Sequence, residues 1–262
     1  MIDNKILGQR IKYFRKRSKM SQFDLENEIG ASAGVISRIE SGKVNPTKET
    51  VREVARKLDL NHIELDYLIG ATASPATKEE IEQAKLEVQD YLNSNAFGYL
   101  IDERWRLCAV TESFSKFLEV DDELVQKRLG TVTMEFVINP DLGLVDRLSS
   151  KHMQEMLDHN LRFYYREVGF MQDDEAYQKV VQSIQKHEIA SKLWGKITRM
   201  NPRDIEYSIR KGRILYFKAT SRIFVPFTYT YEHLLNSSRF KVVEYTPHSK
   251  FAKFIHKLMK SK

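Results

Sequence analysis

Cysteine is almost absent from this 262-residue chain, which contains only Cys108. A single cysteine excludes an internal disulfide framework and any zinc site built from several cysteines. Long apolar runs are also missing, because no stretch free of charged residues reaches the roughly 20 residues of a membrane-spanning helix. The first residues lack the basic, apolar and small-residue series of a secretory signal. We therefore expect a cytoplasmic protein without a membrane span.

Catalytic motifs are missing too: the sequence has no His-Glu-x-x-His, no phosphate-binding loop and no Gly-x-Ser-x-Gly. His152 and His159 would lie two turns apart on one helical face and could ligate haem or a metal, although surface histidines are far commoner. Cys108 lies in an expected strand, where a buried apolar side chain is commoner than a redox thiol. We expect no enzyme activity, no cofactor and no metal.

Positive charge is concentrated at the two ends of the chain. The net charge of +6 comes from 42 Lys and Arg against 36 Asp and Glu. Residues 1–20 hold seven cations against Asp3 alone, and the tail from Thr246 holds five lysines and no acid. Basic ends suit a polyanion such as DNA. The tail could also touch an acidic membrane surface, yet its apolar stripe better suits docking on a sheet or a second subunit.

The chain changes character near Gly70, where a run of small and turn-prone residues leads to Pro75. Thr77 then opens a capping box, which predicts a helix to about Asn93. We therefore divide the chain into a first domain over 1–70, a linker helix within 71–94 and a second domain over 95–262.

Five short helices are predicted in the first domain from their caps and from apolar residues at helical spacing. Side chains able to cap helices two to five are Ser21, Ser32, Thr47 and Asn61. The third helix is predicted from Ala33 to Ser41, with Ile36 and Ile39 facing inward. Five helices in so short a stretch predict a compact all-α bundle.

Residues 21–40 are the most informative part of the sequence. Two short helices are joined there by the tight turn 30–32, which lets the second helix cross the first and enter a major groove. This segment resembles the helix-turn-helix of the lambda-repressor/Cro family, the XRE-type regulators. The resemblance covers Lys5 to Ile69 and is carried by Ser21-Gln22, Leu25, Ile29-Gly30, Ser32, Ile36 to Glu40 and Ser41-Gly42-Lys43.

The resemblance implies DNA-binding roles for nine residues: Ser21, Gln22, Ser32, Ala33, Gly34, Ser37, Arg38, Ser41 and Lys43. Gln22 matches the amide that clamps a phosphate, although it could merely occupy a first turn. Arg38 is the best reader of a base, because its fork can meet guanine O6 and N7 together, although it could lie on phosphates instead. The family further implies an internal salt bridge between Arg15 and Glu40.

The second domain shows a different pattern. Alternating apolar residues predict a hairpin of strands 97–101 and 105–110. Helical patterns follow at 113–118, 122–128, 151–168 and 174–197, then strand patterns at 205–209, 213–221, 224–231 and 240–245, and a last amphipathic helix from Phe251. This order is typical of an α+β domain, an antiparallel sheet with helices on one side.

The hairpin and the helix after it resemble the start of a PAS-like sensor domain, through Gly98 to Trp105 and Thr111 to Phe114. More narrowly, residues 96–247 resemble the MmyB-like ligand-binding domain that follows XRE-type helix-turn-helix modules. Further similarities lie at Asn139-Pro140, Tyr164-Tyr165-Arg166, Phe170, Tyr177, Leu193-Trp194 and 213–221. This family implies an apolar pocket and a fatty-acid-like ligand.

The many aromatic residues of the second domain could form either its core or the wall of a cavity. An acyl ligand would need an apolar slot and one cation or hydroxyl for its carboxylate. Our candidates for the wall are Trp105, Phe117, Phe136, Tyr164 and Trp194, and those for the headgroup are Arg162 and Arg166. Arginines on such a helix are more often solvent-facing or paired with an acid such as Glu155.

These observations predict a sequence-specific DNA-binding regulator whose PAS-like domain senses a small apolar molecule. A homodimer is expected, because two half-sites give usable affinity where one reading helix does not. Ligand would act by favouring one arrangement of the two reading heads. The alternative is a DNA-binding regulator whose second domain is a ligand-free oligomerisation or protein-interaction module.

Overall fold

A computed structural model describes residues 3–72, 74–142, 153–205, 214–218, 224–250 and 253–254. The chain forms two compact units, one of residues 1–75 with 169–174 and the other of residues 76–168 with 175–262. Within the described ranges, no helix combines the length and the apolar character needed to cross a membrane.

The first unit contains the five predicted helices, which are α1 (Asn4–Arg17), α2 (Gln22–Glu28), α3 (Val35–Glu40), α4 (Lys48–Lys57) and α5 (His62–Ile69). The side chains of Ser21, Thr47 and Asn61 cap α2, α4 and α5 as predicted, each accepting a backbone N–H. Gly70 ends α5 at φ +84°, a left-handed conformation that glycine adopts without steric cost.

The start of α3 differs from the prediction that Ser32 caps a helix beginning at Ala33. The helix begins at Val35, and its N-cap is Gly34 at φ +78°, with no side-chain cap. Residues 33–34 form a turn before the helix. Ser32 contributes only its carbonyl oxygen, which accepts from the Val35 N–H at 3.2 Å.

Close packing and buried ion pairs hold the first unit together. A Cβ on Gly8 would lie 2.2 Å from the Ile39 carbonyl oxygen, so this glycine lets α1 lie directly against α3. Arg15 donates to Glu40 at 2.6 and 3.0 Å, which confirms the salt bridge that the resemblance implied. Arg17 pairs with Glu64 in the same way. All four charged residues of the two pairs are at most 9% exposed.

Residues 169–174 belong to this first unit and contribute to its core. The Phe170 ring lies 5.9 Å from the Phe14 ring and 5.3 Å from the Tyr67 ring. Asp173 accepts from Arg10 at 2.8 Å and from the Tyr67 hydroxyl. The residues that make these contacts lie far apart along the chain. Nothing in the local sequence pattern therefore predicts that residues 169–174 complete the first core.

The second unit is an α+β domain around a five-stranded antiparallel sheet of order β2-β1-β5-β4-β3. Its strands are β1 (Gly98–Asp102), β2 (Leu107–Val110), β3 (Leu215–Lys218), β4 (Phe224–His233) and β5 (Phe240–Pro247). Its helices are α6 (Lys78–Glu87), α7 (Gln89–Leu92), α8 (Glu112–Phe117), α9 (Asp122–Arg128), α10 (Glu135–Ile138), α11 (Met153–Val168), α12 (Glu175–Lys186) and α13 (Glu188–Ile197), with 3-10 turns at Pro140–Leu142 and Pro202–Asp204.

The predicted hairpin is confirmed as β1 and β2, but two predicted helices are each divided in two. The helix predicted over 77–93 breaks at Val88, and the one over 174–197 breaks at His187, which takes an extended conformation. His187 Nδ1 caps the next helix by accepting from the Ala190 N–H at 3.3 Å. Most of the strand predicted over 205–209 and most of the final helix lie outside the described residues.

Helices cover both faces of the sheet rather than one, because both faces are apolar. On one face, an aromatic cluster formed by Phe97, Phe114, Phe117, Phe217, Phe227 and Tyr245 carries α8. On the other face, Leu100, Cys108 and Phe240 pack with Ala84 of α6. Arg239 also holds α6 against the sheet, since it donates to Glu80 at 2.7 Å.

Candidate nucleic-acid interface and apolar cavity

The reading head, by which we mean residues 21–43, has one buried and one exposed side. Its inward residues Leu25, Ile36 and Ile39 are at most 1% exposed. All nine residues predicted to meet DNA lie at its surface: Gln22 and Gly34 are half-buried, and Ser21, Ser32, Ala33, Ser37, Arg38, Ser41 and Lys43 are exposed. The predicted residues are thus accessible to solvent, whereas the apolar residues of α2 and α3 are buried.

The Gln22 side chain is oriented by a buried ion pair. Its Nε2 donates to Glu40 Oε2 at 2.7 Å, and Glu40 is itself held by Arg15. Arg15 also donates to the Met20 carbonyl oxygen at 2.6 Å, which fixes the chain just before α2. The ion pair therefore positions the first turn of α2, where the resemblance places a phosphate contact.

Arg38 lies on the exposed side of α3, with its guanidinium next to Gly34. A Cβ built on Gly34 would lie 3.4 Å from Arg38 Nη1, so a side chain at this position would be in van der Waals contact with the guanidinium. The Arg38 carbonyl oxygen accepts from the Lys43 and Val44 N–H groups at 2.9 and 3.3 Å. These contacts keep the loop after α3 close to the side chain that is predicted to read a base.

Glu26 is a positioning residue that the sequence reasoning missed. Its side chain is 5% exposed, and Oε1 accepts from the Ile36 N–H at 2.9 Å. The carboxylate thereby fixes the first turn of α3 against α2, in place of the absent N-cap side chain. A glutamate in the middle of an amphipathic helix gives no sign in the sequence of such a contact.

The basic N-terminus is only partly available to a polyanion. Three of its arginines, Arg10, Arg15 and Arg17, are buried and paired with Asp173, Glu40 and Glu64. Its exposed cations are Lys5, Lys12, Lys16 and Lys19. Structural ion pairs therefore account for much of the charge that the composition suggested was free for DNA.

An apolar cavity of about 110 Å³ lies in the second unit, on the face of the sheet that carries α8. Its walls include Val110, Phe114, Val125 and Phe136. Arg128 is the charged residue among the lining residues. The Arg128 Nε donates to the Leu142 carbonyl oxygen at 3.2 Å. Because a carbonyl group is neutral, this contact does not compensate the positive charge of Arg128.

The residues predicted to hold a ligand are spread over the second unit. Phe136 lines the apolar cavity, and Trp105 lines a second, smaller one. Phe117 lies in the aromatic cluster, 4.9 Å from the Phe97 ring. Tyr164 and Trp194 pack among the helices, against Tyr177 and Tyr165.

Neither of the predicted headgroup arginines is among the residues that line the apolar cavity. Arg162 donates to both carboxylate oxygens of Asp158 at 2.9 Å, and Arg166 donates to the Ile205 carbonyl oxygen at 2.8 Å. The structure brings Arg128 to the apolar cavity instead. No sequence pattern distinguishes Arg128 from other helix-terminal cations.

Histidine and cysteine are held in structural contacts. His159 Nε2 lies 2.6 Å from the Tyr229 hydroxyl, while His152 lies outside the described residues. Burial raises the pKa of the Cys108 thiol to about 12. Among the residues that the structure describes, no three His, Cys, Asp or Glu side chains are grouped to hold a metal ion.

Comparison with known proteins agrees with the geometry of the first unit. The family described as "Helix-turn-helix" matches residues 11–65. The "Uncharacterized HTH-type transcriptional regulator y4dJ" of Sinorhizobium fredii (strain NBRC 101917 / NGR234) is 33% identical over 61 residues, which cover 23% of this chain and 79% of that protein. Both similarities concern the part of the chain that holds the reading head.

Proposed function

The chain belongs to the helix-turn-helix transcriptional regulators, and on that premise we propose that it reads a specific DNA sequence and responds to an apolar ligand. The observation that carries the DNA-binding part is that none of the nine predicted residues of the reading head is buried, seven being exposed and two half-buried. Arg38 reads a base, and Gln22, with its amide fixed by Glu40, holds a phosphate.

The test compares the full chain with variants on two duplexes, one selected from a randomised pool and one with the same bases scrambled. Arg38→Ala should weaken binding to the selected duplex by about 1–3 kcal/mol and barely affect the scrambled one. Gln22→Ala should weaken both by the same factor and leave the salt dependence unchanged, because a neutral amide releases no counterion. Lys179→Ala, at an exposed cation of α12 in the second unit, is the matched control and should change neither.

Two results would remove this assignment. Equal losses on both duplexes for Arg38→Ala would show that Arg38 does not read bases. Absence of salt-sensitive binding to any double-stranded DNA would remove the DNA-binding proposal itself, because Lys and Arg side chains that contact phosphates release counterions.

We propose the apolar cavity as the ligand site, for a molecule with an alkyl or acyl chain as the MmyB-like resemblance implies. The support is its apolar lining together with Arg128, whose contacts to the Leu142 and Asp141 carbonyl oxygens are with neutral groups and leave its charge to attract a carboxylate. Native mass spectrometry of the purified chain should detect bound lipid-sized mass, and Val137→Trp, which fills the cavity from its wall, should abolish it. A chain from several expression hosts that never carries such mass and binds no added decanoate would favour the ligand-free alternative.

A homodimer completes the proposal, since two reading heads on two half-sites give the affinity that one lacks. Two exposed leucines of the second unit support it: Leu86 is 62% exposed and Leu235 is 98% exposed. Their chain neighbours touch, because the Asn236 N–H donates to Glu87 Oε1 at 3.2 Å. Light scattering should give a dimer that Leu86→Glu with Leu235→Glu converts to a monomer; a wild-type monomer would overturn this part.

A further inference from the structure

The exposed side of α1 carries several lysines and no acid. The 14 residues of α1 include no Asp or Glu. Lys5, Lys12 and Lys16 on this helix are exposed, as is Lys19 just after it. Lys12 and Lys16 follow Lys5 at i+7 and i+11, which is about two and three helical turns, so the three lysines share one side of α1. We call these four residues the lysine stripe.

The stability of α1 does not account for the lysine stripe. Lys12 and Lys16 are like charges at i,i+4, which destabilise a helix, and Lys5 lies in the first turn, where the helix dipole disfavours a cation. Lys16, in the last turn, is the one member of the helix that suits the dipole. Among the residues that the structure describes, none of the four lysines forms an ion pair. Their positive charge is therefore available to an external anion.

The lysine stripe begins and ends beside the reading head. A Cβ on Gly42 would lie 2.9 Å from Lys5 Cα, so the first turn of α1 touches the loop after α3. At the other end, Lys19 comes two residues before Ser21, which is the N-cap of α2. Both of these segments of the reading head contain residues predicted to meet DNA. The stripe therefore reaches the predicted DNA-binding surface at each of its ends.

The lysine stripe is nevertheless a surface separate from the reading head. α3 packs on α1 at Gly8 and Arg15, which lie about a quarter turn around the helix from the stripe. The stripe is thus left uncovered by α3, and phosphates that meet it lie beyond the base that Arg38 is proposed to read. Lysine suits phosphates of any sequence, because its ammonium is a point charge on a flexible stem.

We propose that the lysine stripe binds the phosphate backbone of DNA that flanks the bases read by α3, whatever the sequence of that flank. Each lysine that meets a phosphate releases condensed counterions, which adds about 0.9 to the salt dependence of binding. A DNA site is then held by the reading head and also by the duplex beside it. This inference rests on the proposed DNA-binding function and adds a second contact surface to it.

The test measures binding of the full chain to two duplexes by fluorescence anisotropy at several salt concentrations. Both duplexes contain the sequence selected by the reading head. The short duplex ends with that sequence, and the long one continues on each side for one helical turn of arbitrary sequence, about 10 base pairs.

Lys12→Gln combined with Lys16→Gln removes two of the proposed contacts. On the long duplex, the slope of log affinity against log salt should become less steep by about 1.8. Lowering the salt from about 0.2 M to about 0.05 M should therefore strengthen wild-type binding about twelvefold more than binding by the variant. On the short duplex the two proteins should have the same slope.

Lys186→Gln combined with Lys196→Gln is the matched control. It removes the same net charge from exposed positions of α12 and α13, and it should change neither slope. Urea unfolding should give the variant of Lys12 and Lys16 a midpoint no lower than that of the wild type, since a like-charge pair is removed. A change in its slope is then not a loss of fold.

Three results would overturn the lysine stripe while leaving the reading head intact. The first is an equal slope for wild type and variant on the long duplex. The second is an equal change in the control, which would assign the effect to net charge alone. The third is an equal change on the short duplex, because the contacts would then not be with flanking DNA. Failure of the wild type to bind either duplex would overturn the proposed DNA-binding function together with the stripe.

Discussion

Gln22 and Glu40 are joined across the two helices of the reading head by a hydrogen bond of 2.7 Å from Nε2 to Oε2. Glu40 is buried and also bound to Arg15. A side chain that the family resemblance assigns to a phosphate is therefore held in place from the core, before DNA arrives. Such preorganisation lowers the entropy cost of ordering that side chain on binding.

Gln22→Met keeps the length of the side chain and removes the donor. We expect a loss of about 1 kcal/mol in the free energy of unfolding, since one hydrogen bond disappears, and weaker binding to every duplex. Urea unfolding and fluorescence anisotropy measure the two effects. Gln9→Met, at an exposed position of α1, is the control. A change in sequence preference with Gln22→Met would contradict a phosphate role.

Gly34 and Gly30 provide a matched pair of substitutions. Both have positive φ, +78° and +66°, so Gly34→Ala and Gly30→Ala should each destabilise by about 1–2 kcal/mol. Only at Gly34 would the new Cβ meet Arg38, whereas nothing lies within 4 Å at Gly30. We expect only Gly34→Ala to reduce the preference for the selected duplex. An equal reduction in both would assign the effect to backbone strain alone.

The Arg15–Glu40 pair allows a double-mutant cycle. Arg15→Met or Glu40→Leu alone leaves one buried charge without its partner and should cost about 3–5 kcal/mol in the free energy of unfolding. The double variant removes both charges and should recover most of that loss. Urea unfolding measures all four proteins, and a double variant as unstable as the sum of the single ones would contradict the coupling.

Asp102 makes the stability of the second unit depend on pH. Burial and the nearby Glu103 charge raise the pKa of the Asp102 carboxyl from 3.8 to about 6. The folded chain therefore binds more protons than the unfolded chain between these values, and stability falls as pH rises from about 4 to 6, by at most about 1.4 kcal/mol per pH unit. Asp102→Asn should flatten this slope in urea unfolding. Asp122→Asn, at an exposed position, should not.

Cys108 should be unreactive in the native protein. Its thiol is buried and its pKa is raised to about 12, so little thiolate is present at pH 8. We expect a disulfide reagent such as Ellman's to label the folded chain far more slowly than the chain in urea. Since Cys108 is the only cysteine, the absorbance reports it alone, and rapid labelling without denaturant would contradict its burial.

Local patterns in the sequence predicted the helices of the first unit well, because caps act over three residues. Ser21, Thr47 and Asn61 cap as predicted. Ser32 has the right chemistry but no cap contact, since Gly34 turns the chain before α3 begins. A glycine that permits several conformations does not reveal from the sequence which one the packing selects.

The cavities could not be predicted residue by residue, because they form between elements distant in sequence. The engagement of Arg162 could have been anticipated from Asp158 four residues earlier. The position of Arg128 could not, since it depends on how α9 lies against α10 and the sheet. Phe117 in α8 and Phe136 in α10 are both aromatic residues of short helices, so only three-dimensional packing separates the core residue from the cavity residue.

The fastening of α6 to the sheet determines where the polypeptide can be cut for expression. Ile81, Ala84 and Val88 are covered by strand residues, and Glu80 is held by Arg239. A fragment that ended after α7 would contain α6 without the strand residues that bury it. The apolar face of α6 would then be exposed to water and would favour aggregation. Truncations intended to isolate the N-terminal bundle should therefore stop at Pro75, ahead of the helix, although they lose the cover that Phe170 gives to Phe14 and Tyr67.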